Sequence, residues 1–436
     1  MEHGWDLAII GAGAAGLAAA IFVGETAQTA GHPQRIALLD SAATIGAKIL
    51  VSGGGRCNVT HDEVSPDDFN GSRNIVRNVL AAFDAQATVR WFTALGVPLK
   101  REETGKLFPV SNSARTVLAA LLRRCDELGI VRLTQHRVRE VTSIDARSPH
   151  PDLLPNGEKE PNGAASFLIR HERGELTAQR IIMATGGRSL PRTGSDGSGW
   201  GLVRRLGHTV TDTYPALVPL VLQEPMFHAA VSGIALPVEL STISDSKVID
   251  RRIGSLLWTH FGVSGPVVMD ASRHWVVARA SGKHVELRCN FFPGQRFEHV
   301  EAHLVATAKA RPRVSLGKLL AEHFPDRFAQ ALLHALTLDP TAVLSQLSRE
   351  QRRTLGHGLS NFLLPVERER GWNFAEVTAG GVPLQEIDYR TMASRKVPGL
   401  YLIGEMLDCD GRIGGFNFQW AWATGYLAGR AAAQWS

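Results

Sequence analysis

The chain has 436 residues, 43 of them glycine, roughly one in ten where soluble proteins average nearer ~7 %. This length predicts two or three domains whose cores need neither disulfides nor a structural metal, and the 44 % hydrophobic and 20 % charged fractions exclude wholesale disorder. The 47 basic and 42 acidic residues leave a net charge of +5, but the basic pairs Arg123-Arg124, Arg204-Arg205, Arg251-Arg252 and Arg352-Arg353 are scattered, so they read as solvated faces and no nucleic-acid partner is expected.

The four cysteines, Cys57, Cys125, Cys289 and Cys409, form no CxxC pair and no ligand-spaced cluster, which predicts no metal site and a reducing, cytoplasmic setting. The apolar run at 7–23 follows Glu2 and Asp6 rather than a basic segment, and it is shorter than the ~20 residues of a membrane span. Neither an export signal nor a membrane partner is expected.

The chain opens with Leu7-Ala8-Ile9-Ile10, an apolar run of strand length, then Gly11-Ala12-Gly13-Ala14-Ala15-Gly16 and an alanine-rich helical stretch over 17–27. Gly11 permits a tight turn, Gly13 lets the backbone approach a pyrophosphate, and Gly16 allows close packing of helix on strand. The helix start, Ala14 and Ala15 included, offers free N–H groups to phosphates. A second run, Arg35-Ile36-Ala37-Leu38-Leu39, ends in Asp40, whose carboxylate suits ribose hydroxyls and disfavours a 2′-phosphate. The order strand, glycine turn, helix, strand, acid predicts FAD or NAD rather than NADP.

The next glycine cluster is Ser52-Gly53-Gly54-Gly55-Arg56-Cys57-Asn58, preceded by Lys48. Three glycines clear Cβ atoms from a surface that meets something flat or phosphorylated, with Lys48 and Arg56 bracketing it. Cys57 is either a small buried side chain or a redox-active thiol. Strands are expected at 135–144, 167–171 and 176–184, with a long Pro/Asn/Gly-rich loop at 145–165. The third strand runs into Ala184-Thr185-Gly186-Gly187. The Gly-rich stretch 194–201 then leads into a helix at 202–206 without the order required of a second NAD(P) domain.

From 216 to 292 the pattern changes to short β-type runs at 217–222, 238–243 and 285–292, and from 297 to 370 to helical periodicity at 315–324, 327–336 and 349–359. Near the end, Gly399-Leu400-Tyr401-Leu402-Ile403-Gly404-Glu405 reads as a late returning strand, and Gly414-Gly415-Phe416-Asn417 feeds a helix over 420–434. NAD-only dehydrogenases have no need of such a strand, which favours FAD. The helix start would face the flavin N1 and C2 carbonyl, or else Trp420, Trp422 and Tyr426 merely fill a core.

The segments SGGGRCN, Ala-Thr-Gly-Gly at 184–187, Gly-Val-Ser-Gly-Pro at 262–266, Thr-Ala-Gly-Gly-Val at 378–382 and Gly-Gly-Phe-Asn-Phe-Gln at 414–419 together resemble the bacterial FAD-dependent flavoproteins that include aminoacetone oxidase-like and bile-acid-pathway reductase-like members. The resemblance implies an α/β fold: a Rossmann-like FAD domain of the two-dinucleotide-binding flavoprotein type, over 1–212 and 376–436. An insert at 213–375 interrupts it, with a β-barrel-like part over 213–296 and a helical part over 297–375 that caps the flavin. It also implies that Ala184, Thr185 and Gly186 pass close to the cofactor, that Gly404 and Glu405 contact its ribityl and pyrophosphate portion, and that the backbone at Val138 contacts the adenine.

The expected function is hydride transfer between flavin N5 and a small organic substrate, with NAD(P)H as a transient electron donor. The alternatives are an oxygen-using oxidase of an amine-type donor, a non-catalytic redox sensor, or an RNA-associated flavoprotein. His260, on the apolar run before Gly262, and Cys57 are the catalytic candidates. No Ser-His-Asp string, HExxH or P-loop appears, which removes hydrolase and NTPase readings.

Overall fold

The computed structural model describes residues 4–144 and 166–434, so the loop expected at 145–165 lies outside the described residues. The chain divides into two compact units, Met1–Thr213 with Val377–Ser436, and Tyr214–Glu376.

The first unit is built on a parallel sheet. Strand Trp5–Ile10 (β1) pairs on one side with Ile36–Leu39 (β2), Leu7 opposite Ile36, and on the other with Gly174–Met183, Leu7 opposite Arg180. Val131–Leu133 extends the array beyond β2, and Leu400–Leu402 beyond Gly174–Met183. Taken across the sheet, these five strands follow the chain order 3-2-1-4-5, the doubly wound arrangement that binds nucleotides where the order reverses. That point is the gap between the ends of β1 and Gly174–Met183, occupied by the turn at Gly11 and the Ala184-Thr185-Gly186 segment. Leu7, Ala8 and Ile9 are fully buried, as a strand covered on both faces requires.

Helix Ala14–Thr29 (α1) begins three residues earlier than the alanine-rich pattern suggests. It is buried nearly all round because the C-terminal helix Phe416–Ala433 lies against it at close range. A Cβ added at Gly425 would come within 2.9 Å of Ala15 O, and one at Gly429 within 2.8 Å of Ala19 O. Alanine on one helix and glycine on the other allow this approach. The tryptophans of the late helix do fill the core, and their indoles also tie it down: Trp420 Nε1 donates to Gly404 O at 3.2 Å and Trp422 Nε1 to Val59 O at 2.9 Å.

The second unit carries an antiparallel sheet ordered 362–364, 285–290, 235–244, 247–259, 262–264, 220–222, 366–369. The two edge strands, Phe362–Leu364 and Val366–Glu369, are separated only by Pro365, so the chain carries one edge of the sheet round to the other. Helix Pro266–Ala280 packs on the face that presents Leu240, Leu256 and Trp258, and helices Phe297–Ala310, Leu316–Ala321, Asp326–Ala335 and Arg349–Ser360 follow. The long strand Lys247–Thr259 and helix Pro266–Ala280 had no counterpart in the sequence expectation.

Candidate functional site

The glycines of the first turn do different work. Gly11 has a φ of +106°, and a Cβ there would lie 2.3 Å from Ala184 O. A Cβ on Gly16 would lie 1.8 Å from Gly11 O, so helix and turn touch backbone to backbone. Gly13 is unlike both: nothing of the protein lies within 4 Å of an added Cβ. It caps α1 without a side-chain hydrogen bond, and no acid stands in the first turn, so no capping side chain takes up the first N–H groups of the helix. Asp40 closes this corner. Its Oδ2 accepts from the Ala12 amide and its Oδ1 from the Ala42 amide, both at 2.8 Å, which leaves each oxygen a further lone pair. The His136 amide donates to Asp40 O at 2.8 Å, so the strand that starts at Val138 enters beside the acid.

Glu405 is the hub of a second group. Its carboxylate is ion-paired with Lys48 and accepts from Ser189 Oγ at 2.6 Å, from the Thr378 amide at 3.0 Å and from Thr378 Oγ1 at 3.0 Å. Lys48 is therefore compensated by a carboxylate rather than standing as a free cation beside the glycines. A Cβ on Gly404 would lie 2.8 Å from Ala15 Cβ, which brings the late strand's end to the start of α1. Gly186, at φ +73°, and Gly187 pack as closely on Ser195 and Thr378. Ser189 and Thr378 are the members that sequence reasoning missed. The string Thr-Ala-Gly-Gly was noticed, but its threonine looks like any buried hydroxyl until Glu405 is placed beside it.

The SGGGRCN segment is the end of helix Ala47–Gly55 (α2), broken at Ser52 (ψ 147°), Gly53 (φ +54°) and Gly54 (φ +67°). Gly54 again has nothing within 4 Å of an added Cβ. Arg56 is turned to Glu102, at 2.6 Å, with its guanidinium 4.0 Å from the Phe108 ring centre, so this cation too is already paired. Cys57 is fully buried at φ +60°, and burial pushes its thiol up to about 12. A thiol so raised stays neutral at pH 7, which favours Cys57 as a small buried side chain over a redox-active one.

The start of the C-terminal helix meets this segment. A Cβ on Gly415 would lie 2.7 Å from the Thr60 carbonyl, and Phe416 stacks on His61 with ring centres 5.0 Å apart, beside Gly414. Asn417 accepts from the Gly411 amide at 2.8 Å and donates to Gly411 O at 2.9 Å, so its side chain latches its own loop. Below them Gln419, fully buried, accepts from Thr60 Oγ1 and Thr88 Oγ1 and donates to Phe83 O. His260 belongs to the second unit, exposed in the turn between Lys247–Thr259 and Gly262–Ser264.

The turn at Gly11 and Gly16 thus meets Ala184, Asp40 joins it at Ala12, and Gly404 meets Ala15 beside the Glu405–Lys48 pair, with Ser52, Gly53, Asn58, Gly414 and Gly415 in adjoining contacts through α2 and Thr60. Two observations say that a dinucleotide fits here. Gly13 is open, at an ordinary φ of −77°, where the protein itself makes no demand for glycine, and Asn58 Oδ1 and Thr185 Oγ1 are buried with no hydrogen-bond partner. Such atoms call for a ligand or ordered water.

The pattern described as "HI0933-like protein Rossmann domain" matches residues 5–431. The chain belongs to the HI0933-like family. Two relatives are matched over nearly their whole length. A 3-dehydro-bile acid delta(4,6)-reductase of Clostridium scindens is 33 % identical over 429 residues, 98 % of this chain and 99 % of the relative. A ribosomal RNA dihydrouridine synthase of Escherichia coli is 31 % identical over 426 residues, 97 % of this chain and 96 % of the relative. Among solved structures, a 3-ketosteroid delta1-dehydrogenase from Sterolibacterium denitrificans aligns over 99 % of both chains with a TM-score of 0.48 and 12 % identity.

Proposed function

We propose that this chain is an FAD-dependent oxidoreductase that reduces a carbon–carbon double bond conjugated to a carbonyl in a small organic substrate, with NAD(P)H as electron donor. One observation carries the reading. Two relatives matched over almost the whole chain act on unrelated molecules, a bile acid and ribosomal RNA, yet their names describe one bond change. A 3-oxo-Δ4 steroid and the uracil ring both hold a C=C bond next to C=O, and both products are its saturated form.

FAD, when bound, supplies the hydride that the electron-poor carbon receives. The residues of the first unit hold it: Asp40 for the ribose, the open face at Gly13 and the uncapped start of α1 for the pyrophosphate, and the uncapped start of the C-terminal helix for the electron-rich edge of the ring. Glu405, fixed by Lys48, Ser189 and Thr378, is positioned to accept from hydroxyls. His260, exposed and without a hydrogen-bond partner among the described residues, is a candidate proton donor on the second unit.

A second reading takes uridine in RNA as the substrate. Beyond the dihydrouridine synthase relatives, a groove of about 670 Å³ along helix Arg349–Ser360 favours it. Arg349, Arg353 and His357 line that groove at one-turn spacing, about 6 Å apart, which suits a phosphate backbone.

The test is an anaerobic titration of the purified holoprotein with NADH and NADPH, then addition of a 3-oxo-Δ4 steroid or a uridine-containing RNA. Bleaching of the flavin band by a pyridine nucleotide, and its return on adding one substrate with formation of the saturated product, is the expected result. No bleaching by either nucleotide, with bleaching by an amine and return on admitting air, would replace the reductase by the oxidase. An RNA-dependent return would select the second reading.

A further inference from the structure

Arg370, just beyond the edge strand Val366–Glu369, has its guanidinium carbon 3.9 Å from the centre of the Phe261 ring and 3.7 Å from that of Phe374. The backbone fixes all three residues. The Arg370 amide donates to Pro219 O, the Phe261 carbonyl accepts from the Leu222 amide, and the Phe374 amide donates to Gly371 O, closing a turn that brings its ring back over Arg370. His260 stands beside the same ring, its imidazole 5.2 Å from that of Phe261 and edge-on to it.

In this unit Arg251 pairs with the carboxylate of Glu239, Arg252 with that of Asp250, Arg288 with that of Glu286 and Arg311 with that of Glu322. Arg370 is fixed by aromatic rings alone. Its side chain donates no hydrogen bond to any acceptor among the described residues. Rings hold the flat faces of a guanidinium and leave its N–H edge open, and that edge matches two oxygens of a carboxylate or phosphate. Stacking also removes rotamer freedom in advance, so an anion that docks there does not have to order the side chain. Phe374 stays 44 % exposed, an apolar ring at the surface whose contact is this cation.

We propose that Arg370 is an anion-recognition residue of the second unit, taking a carboxylate or phosphate oxygen pair on its open edge with His260 as a neighbouring donor. That shared chemistry has two sources, the carboxylate of a small acid or the phosphate of a nucleotide chain.

Isothermal titration of the holoprotein decides it without turnover. The probes are a 3-oxo-Δ4 steroid carboxylic acid against its methyl ester, and uridine 5′-monophosphate against uridine. The wild type is expected to bind the anion of one pair at least about tenfold tighter than its neutral partner, and the pair that shows this names the source. Arg370→Ala should bring that ratio close to one. Arg370→Lys, which keeps charge and stem and so guards against a folding defect, should recover only part of it, and Phe374→Ala should lower it with the arginine intact. No anion preference in the wild type, or an unchanged ratio in Arg370→Lys and Phe374→Ala, overturns the proposal. Absence of double-bond reduction in the turnover assay would remove the reductase reading while leaving this binding result to stand.

Discussion

The Ala12 amide and the Asp40 carboxylate are joined by a 2.8 Å hydrogen bond that spans the first β-α-β unit. The acid at the end of β2 therefore holds the glycine turn at the end of β1 in place before any ligand arrives. Its second oxygen holds the Ala42 amide in the same way, so the carboxylate shapes the corner as well as offering lone pairs to a ribose.

Asp40→Ala removes both roles. The expected outcome is a holoprotein whose flavin dissociation constant rises about 10- to 100-fold, the span for losing hydrogen bonds to a charged group. Asp40→Asn, which keeps one acceptor oxygen, should lie between it and the wild type. Flavin fluorescence on dilution measures both.

The glycine turn separates folding from binding. An added Cβ at Gly16 would meet Gly11 O at 1.8 Å, a backbone atom that cannot step aside, so Gly16→Ala should cost about 3 kcal/mol or more and lower the melting temperature of the apoprotein. Gly13 has an ordinary φ of −77° and no neighbour within 4 Å, so Gly13→Ala should leave apoprotein melting unchanged while sharply reducing flavin content. Equal loss in both variants would show that Gly13 serves the fold alone.

This contrast also marks what a sequence can reveal. The β1-α1-β2 unit was legible because each of its signals is local: an apolar run, a glycine spacing and an acid at a strand end all lie within forty residues. The Glu405 group was not, since Lys48, Ser189, Thr378 and Glu405 come from four distant segments and none is unusual by itself. Strand Lys247–Thr259 escaped for another reason. Its inward face carries Asp250, Arg252 and Gly254 before Leu256 and Trp258, so the first half of the strand lacks the apolar period that would announce it. For Lys48 and Arg56 the sequence shows a charge but not its partner, Glu405 for the one and Glu102 for the other.

All four cysteines are buried, and for Cys57 and Cys125 burial pushes the thiol up to about 12. Native protein at pH 8 should therefore react with none of its thiols on a timescale of minutes with a thiol-specific reagent such as 5,5′-dithiobis(2-nitrobenzoate), and with four after denaturation. Cys57→Ser should keep its flavin and its reoxidation rate. Rapid labelling of Cys57 in the native protein would restore the redox role.

His208 sets an acid limit on stability. It is buried with Nδ1 2.7 Å from Glu386 Oε2 and Nε2 2.8 Å from Ser394 Oγ, the spacing of an acyl-transfer triad. Ser394 Oγ, however, already accepts from the Lys396 and Val397 amides, at 3.0 and 2.9 Å, so its lone pairs are taken and the group works as a clasp. Burial holds the His208 pKa below its ordinary value, with Glu386 opposing and Lys396 reinforcing the shift. His274, half-buried beside Asp250, is pushed down to about 4 by its burial, with Asp250 opposing and Arg273 and Arg252 reinforcing the shift. A depressed histidine binds fewer protons folded than unfolded, so stability is full above ~6.5 and is lost as pH falls from there toward the folded value. Glu386, held down to about 2, adds its own loss below ~4.5. The melting temperature should thus drop by several degrees, on the order of what one or two kcal/mol produces, between pH 7.5 and 5. His208→Gln should melt lower at pH 7.5 but show a shallower fall across that window. A parallel fall in the variant and the wild type would assign the acid sensitivity elsewhere.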